Sequence, residues 1–245
     1  MVRRKAGVAA GVRGAFTLVE LLVVIIIIAI LAGLAVPAVM RATATAQNAR
    51  IKTEIDMLHQ AIMQYKNEYG SFPPSVDVPS GAILKHVSRL FPRMPASNMN
   101  VSLPTAMQPD TALYLWLSGY NTDNPTNPFV GTAKKMFDFD TGRVTNNQFA
   151  APSKPNSPYI YIDSAHYAYY DAKASMPAGP FGGVYFAHHM PSSAAPRDFT
   201  ISTQPYANAD TFQILSAGRD EKFGTDDDLS NFWPGTRKDY IDSLK

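Results

Sequence analysis

The sequence predicts an α+β fold in which one long N-terminal helix is laid across an antiparallel sheet. Three observations predict it. An uncharged apolar run, Leu21 to Met40, leads into a stretch whose apolar residues recur at helical spacing as far as Tyr69. Beyond it lie short aromatic segments that alternate as strands do, bounded by Gly, Pro, Asn and Asp. Apolar residues make up 46% of the chain, the proportion of a protein that folds. Residues 71–245 are numerous enough to build one core.

The first element begins with cations. Arg3, Arg4, Lys5 and Arg13 precede the apolar run, and Glu20 is the one acid before Glu54. These four cations exceed the formal net charge of +2, so the remainder is slightly acidic and offers no basic surface for nucleic acid. The 20 uncharged residues from Leu21 to Met40 rise roughly 30 Å as a helix, the thickness of the bilayer hydrocarbon. Cations ahead of such a run predict a cytoplasmic N-terminus, with everything after the run on the other side. A cleaved secretory signal is the rival, because "LAGLAV" offers small residues for a peptidase. The run nevertheless exceeds the usual apolar core of about 7 to 15 residues.

The stretch "RGAFTLVELLVV" resembles the type III signal of type IV pilins and of the pseudopilins of type II secretion. In that signal a basic leader is cut before Phe-Thr-Leu-x-Glu and an apolar run follows. The resemblance implies cleavage by prepilin peptidase between Ala15 and Phe16 and N-methylation of Phe16. The family usually has Gly before the cut; here Gly14 stands one place early and Ala15 takes that position. Residues 1–15 are then a removed leader, and Glu20 is the fifth residue of the mature chain.

An ionised acid in the apolar layer costs on the order of 2.5 to 3.5 kcal/mol at mid-membrane, so Glu20 calls for a partner. The resemblance implies that this partner is the free N-terminal amine of a neighbouring subunit, drawn into register in a filament. A Glu that snorkels to the interface is the alternative. Pro37 removes one backbone bond inside the run, which predicts a kink or local melting between Gly33 and Pro37. The resemblance gives this proline a part in assembly, against the alternative of a passive kink.

Residues 41–70 continue the helix with a changed pattern. Ile51, Ile55, Leu58, Ile62, Tyr65 and Tyr69 follow spacings of three and four, while Lys52, Glu54, Asp56, Gln60, Lys66 and Glu68 fall elsewhere on the wheel. The apolar stripe predicts packing on the chain's own sheet; a coiled coil would need a longer repeat. Gly70 caps the helix, and Pro73 and Pro74 stop it. A helix from Phe16 to Tyr69 extends roughly 80 Å, with residues 16–40 in the membrane and the rest against a periplasmic head.

The head, residues 71–245, opens with a Pro-, Ser-, Asn- and Met-rich connection that contains a short helix from Gly81 to Leu90. "DTALYLWLSGY" predicts another short helix, ended by Gly119. "KKMFDFDTGRV" predicts a hairpin turning at Asp140, Thr141 and Gly142, and "YIYID", "HYAYYD", "GGVYFAHH" and "TFQILSAG" read as strands.

"SAGRDEKFGTDDDLSNFW", with the Leu215 that precedes it, is the densest set of hard oxygen donors. Calcium takes six to eight such oxygens. The spacing is not that of an EF-hand, but it resembles the C-terminal calcium loop of major pseudopilins. That resemblance implies Asp220, Asp226 and Asp228 as side-chain ligands and the carbonyl of Leu215 as a further one, within an acidic loop over 215–233; an acidic surface turn is the alternative. Asp227 stands beside these three, outside the implied set. Asp-x-Asp in "FDFDTG" is common in hairpins, and His188 and His189 point to opposite faces of a strand without a third zinc ligand. With no cysteine the chain has no disulfide, thiolate metal site or cysteine nucleophile, and no hydrolase elbow, zincin or phosphate-loop motif occurs.

The resemblance therefore implies a pilin-like, non-enzymatic subunit in the inner membrane. Its expected partners are prepilin peptidase, copies of itself and other pilins or pseudopilins. The sequence reading is a structural subunit of a type II secretion pseudopilus. A surface type IV pilus is the alternative, and a membrane-anchored periplasmic enzyme or binding protein is the third. The acidic loop and the absence of cysteine favour the first, since many type IV pilins close their C-terminal region with a disulfide.

Overall fold

A computed structural model describes residues 16–77, 81–95, 97–98, 107–121, 123–152, 154, 156–171, 187–191, 195, 199 and 203–245. The leader with Ala15 and most of the "GGVYFAHH" segment lie outside them. The chain divides into two units, Met1–Ala44 and Thr45–Lys245.

Helix α1 (Leu18–Tyr69) begins two residues later than the sequence predicts, because Thr17 caps it. Pro37 lies inside it, and the helix is uninterrupted from Gly33 to Pro37, so the expected local melting does not occur. The lost N–H removes one bond, and the helical bonds on either side hold the segment.

In the second unit the expected stripe is buried: Ile51, Ile55, Leu58, Ile62 and Tyr65 are inaccessible, with Ala61 beside them. They meet one face of an antiparallel sheet of three strands, β3 (Ile160–Asp163), β4 (Phe212–Ser216) and β5 (Leu229–Ser230), in that order. The register sets Tyr161 beside Ile214 and Ile160 beside Leu215. Side chains alternate across a strand, so Tyr159, Tyr161, Phe212 and Ile214 join the α1 core. Ile160, Ile162 and Leu215 form a second core with Tyr167, Tyr170, Trp233 and Ile241. A sheet covered on both faces explains why every residue of β3 and β4 is buried. Each large side chain so buried contributes roughly 1.5 to 3 kcal/mol.

Helices α2 (Ala82–Leu90) and α3 (Ala112–Leu117) add Ile83, Val87, Trp116 and Leu117 to the first core. Trp116 donates its indole N–H to the carbonyl of Pro74 at 2.8 Å. The buried hydroxyl of Tyr65 pairs with His86 at 2.9 Å and Tyr120 at 3.0 Å. Glu54 is held by the Arg143 guanidinium and accepts the Tyr159 hydroxyl at 2.6 Å. The helix is thereby tied to the hairpin β1 (Val144–Thr145) and β2 (Gln148–Phe149) by charge as well as by packing.

Two local expectations are corrected. The hairpin turns at Asn146 and Asn147, both left-handed at φ 52° and 64°, while Thr141–Arg143 form a 3-10 turn capped by Asp140. Two left-handed residues match the twist of a two-residue hairpin, and Asn tolerates that conformation. "HYAYYD" is not a strand: a 3-10 turn, Ser164–His166, leads into helix α4 (Tyr167–Asp171). Tyr167 and Tyr170, three residues apart, are its buried pair.

Candidate functional site

Two places carry the residues singled out by the sequence: the start of α1 and the loop between β4 and β5.

At the start of α1, Glu20 closes a capping box. Its carboxylate accepts the Thr17 N–H at 2.9 Å and the Thr17 hydroxyl at 2.8 Å, while the Glu20 N–H donates to the Thr17 oxygen at 3.2 Å. Reciprocal bonds of this kind satisfy donors that a helix start leaves open. Within its own chain, then, the partner of Glu20 is Thr17. The Thr-x-x-Glu spacing carries that signal, and a reading directed at membrane cost missed it. Phe16, just before the cap, is 80% exposed, and the apolar residues from Leu18 to Met40 are exposed as well. Among the described helices, α1 is the one long and apolar enough to cross a membrane.

Between β4 and β5 the chain closes a tight loop. Gly218 has φ +62°, and a Cβ there would stand 2.2 Å from the carbonyl oxygen of Asp227, so no other residue fits. Asp227, outside the ligand set that the resemblance implies, organises the loop. Its carboxylate accepts the N–H groups of Arg219 at 2.7 Å and Asp220 at 3.1 Å, and the Thr225 hydroxyl at 2.7 Å. Asp228 is buried and accepts the Gly224 N–H at 2.7 Å. Burial pushes its pKa up to about 7, with the nearby charges of Asp227 and Asp220 adding to the rise; the Gly224 bond and Arg237 oppose it. Asp220 and Asp226 are exposed. Leu215 sits in the middle strand, paired with Ile160 and with Ser230.

Three cations hold this segment through its carbonyls. Lys52 of α1 donates to Ser230 at 2.7 Å, and Arg237 to Gly224 at 2.6 Å. Lys154 donates to Arg219. Helix α5 (Arg237–Ser243), capped by Thr236 and Asp239, adds N–H bonds from Arg237 to Asp228 and from Lys238 to Asp226. Composition flagged the acids, but these cations lie far off in sequence or beyond the loop. Among the described residues no three His, Cys, Asp or Glu side chains stand together as the ligands of one ion. In this arrangement the loop closes on its own hydrogen bonds.

His188 and His189 are both buried in packing roles. His188 lies against Phe199 and Trp233, and His189 stacks on Tyr206 at 4.2 Å. Ser75, Asp163 and His166 meet, but in an order that does not activate a nucleophile. Asp163 accepts both the Ser75 hydroxyl at 2.7 Å and His166 Nδ1 at 2.6 Å, so the hydroxyl is turned to the acid instead of to the imidazole.

The comparisons with known proteins bear on the first place. The sequence model of the prokaryotic N-terminal methylation motif matches residues 12–36. No curated protein and no solved structure matches the chain. The chain thus carries the signal of type IV pilins and pseudopilins, on a long apolar helix that heads a mixed α+β fold. The motif implies processing by prepilin peptidase and pilin-type filament assembly, and with the apolar helix it indicates membrane anchoring.

Proposed function

We propose that this protein is a structural subunit of a type II secretion pseudopilus, anchored in the inner membrane with its head in the periplasm. The observation that carries the filament reading is the methylation motif over 12–36, set directly on an apolar helix whose side chains from Leu18 to Met40 are exposed. An exposed apolar surface of that extent needs lipid or other apolar helices around it. Once the leader is cut, the amine of Phe16 stands four residues before the Glu20 carboxylate in its own chain. In a filament, that carboxylate exchanges its Thr17 hydroxyl bond for the amine of a neighbour, a stronger charge-assisted bond.

The assignment to secretion is supported by the acidic segment 215–233, which resembles the C-terminal loop of major pseudopilins, and by the absence of cysteine. Deletion of the gene tests it. The expected result is loss of exoprotein secretion with surface pili and twitching intact. Loss of pili with secretion intact would move the protein to a type IV pilus.

A further inference from the structure

Within the unit Thr45–Lys245, the end of α1 and helix α2 border a cleft of about 560 Å³, a size at which clefts hold small molecules. Lys66 of α1 and Lys85 and Arg89 of α2 line it. Among the described residues no ion pair or hydrogen bond engages these three cationic side chains; Lys66 lies over the Phe72 ring at 4.3 Å. Lys85 and Arg89 are four residues apart and so share one helix face, a like-charge pair that opposes the helix unless an anion covers it.

The nearby acids are occupied elsewhere or stand apart. The Asp163 carboxylate accepts the Ser75 N–H at 2.8 Å and its hydroxyl at 2.7 Å, and lies 2.6 Å from His166 Nδ1. Asp77 accepts the N–H groups of Gly81 at 3.1 Å and Ile83 at 2.9 Å, so it serves the start of α2. Asp210 also lines the cleft, but it is exposed and makes no ion pair with the three cations. His86 is buried in the wall and uncharged at neutral pH, because burial holds its pKa down to about 4, and the Tyr65 hydroxyl meets its Nε2 at 2.9 Å. The Ser71 hydroxyl meets His86 Nδ1 at 3.5 Å, the long limit of a hydrogen bond, and can turn to a closer acceptor.

Three cations from two helices, with a hydroxyl beside them, suit a tetrahedral anion better than a planar carboxylate. A phosphate group carries about −1.5 to −2 charge near neutral pH and offers three strong acceptor oxygens. The Arg fork matches two such oxygens, and each Lys ammonium serves as a point charge. We infer that the cleft lined by Lys66, Lys85 and Arg89 binds a phosphate group, free or carried on a small molecule. The cleft belongs to the head alone, so phosphate binding and filament assembly stand or fall separately.

Calorimetric titration of the full-length protein in detergent tests it, at an ionic strength of roughly 0.15 M that screens exposed charge. Inorganic phosphate and glycerol phosphate are the probes, with glycerol and acetate as controls. A phosphate probe is expected to bind at one saturable site, and the controls are not. Tighter binding of glycerol phosphate assigns the group to a small molecule; equal or tighter binding of inorganic phosphate assigns it to the free ion. Lys85→Gln with Arg89→Gln should weaken binding roughly tenfold or more. Lys135→Gln with Lys245→Gln removes as much charge at exposed positions outside the cleft and should leave binding unchanged. Urea midpoints without ligand show that each variant folds; added phosphate raises the midpoint of the natural chain and not that of the cleft variant. Should the double change disturb folding, Ala82→Glu sets a carboxylate in the cleft wall and should abolish binding by repulsion. No saturable binding of either phosphate probe, equal weakening by the two pairs of changes, or acetate bound as tightly as phosphate would overturn the inference.

Discussion

The two halves of α1 share one secondary structure and differ in what covers them. From Leu21 to Met40 apolar side chains occur all around the helix and all are exposed; from Ile51 to Tyr65 most occupy one stripe and are inaccessible, with Met57 left exposed outside it. A uniform apolar surface is complete only in an apolar solvent or among like helices, whereas a stripe is satisfied by one sheet face. The pattern of hydrophobicity, more than its amount, states which environment each half is built for.

The largest effect that would break this contrast is a core deletion. Leu58→Ala should cost about 4 kcal/mol in the head's unfolding free energy, within the usual 2 to 5 for buried leucine. Ile28→Ala, in the exposed half, should leave it unchanged within about 0.5 kcal/mol. Urea unfolding of the full chain in detergent reports the head selectively by fluorescence, because the two tryptophans, Trp116 and Trp233, are both buried there.

Next comes pH. Burial holds the pKa of His86 down to about 4 from its ordinary 6.5, with Arg89 adding to the fall. The unfolded chain therefore takes up the proton first, so this contribution is complete above about pH 6.5 and is lost as pH falls through 4. On the order of 2 kcal/mol should disappear across that window, and His86→Gln should flatten the profile there. A smaller loss, about 1.5 kcal/mol, is expected from Glu54→Gln, which leaves the Arg143 guanidinium half-buried without its carboxylate. Urea midpoints measured at neutral pH check it.

The smallest effect concerns the acidic loop. Its acids and carbonyls are bonded to groups of the chain itself, so a calcium chelator should leave the melting temperature of the full protein within about 1 °C. A drop of several degrees, reversed by calcium and absent from Asp220→Ala with Asp226→Ala, would show a resident ion and a loop that rearranges around it.

Legibility followed the length of each pattern. The α1 stripe, the cap at Gly70 and strand β4 were readable because many residues repeat one period. Two-residue strands carry no period, so the hairpin was displaced to Asp140–Gly142 although Asn146 and Asn147 held the better turn chemistry. "HYAYYD" satisfies an alternating pattern and a helical one equally, and packing of Tyr167 and Tyr170 decided between them. At the candidate sites, the acids and the signal were visible. Lys52, Lys154 and Arg237 were not, because cations bonded to carbonyls 178, 65 and 13 residues away leave no local pattern.

The central claim is that this chain is processed and assembled as a pilin-type subunit, and mass spectrometry of the mature N-terminus tests it most directly. The account predicts a chain that begins with N-methylated Phe16. A chain beginning beyond residue 36, as after an ordinary signal cleavage, would contradict it.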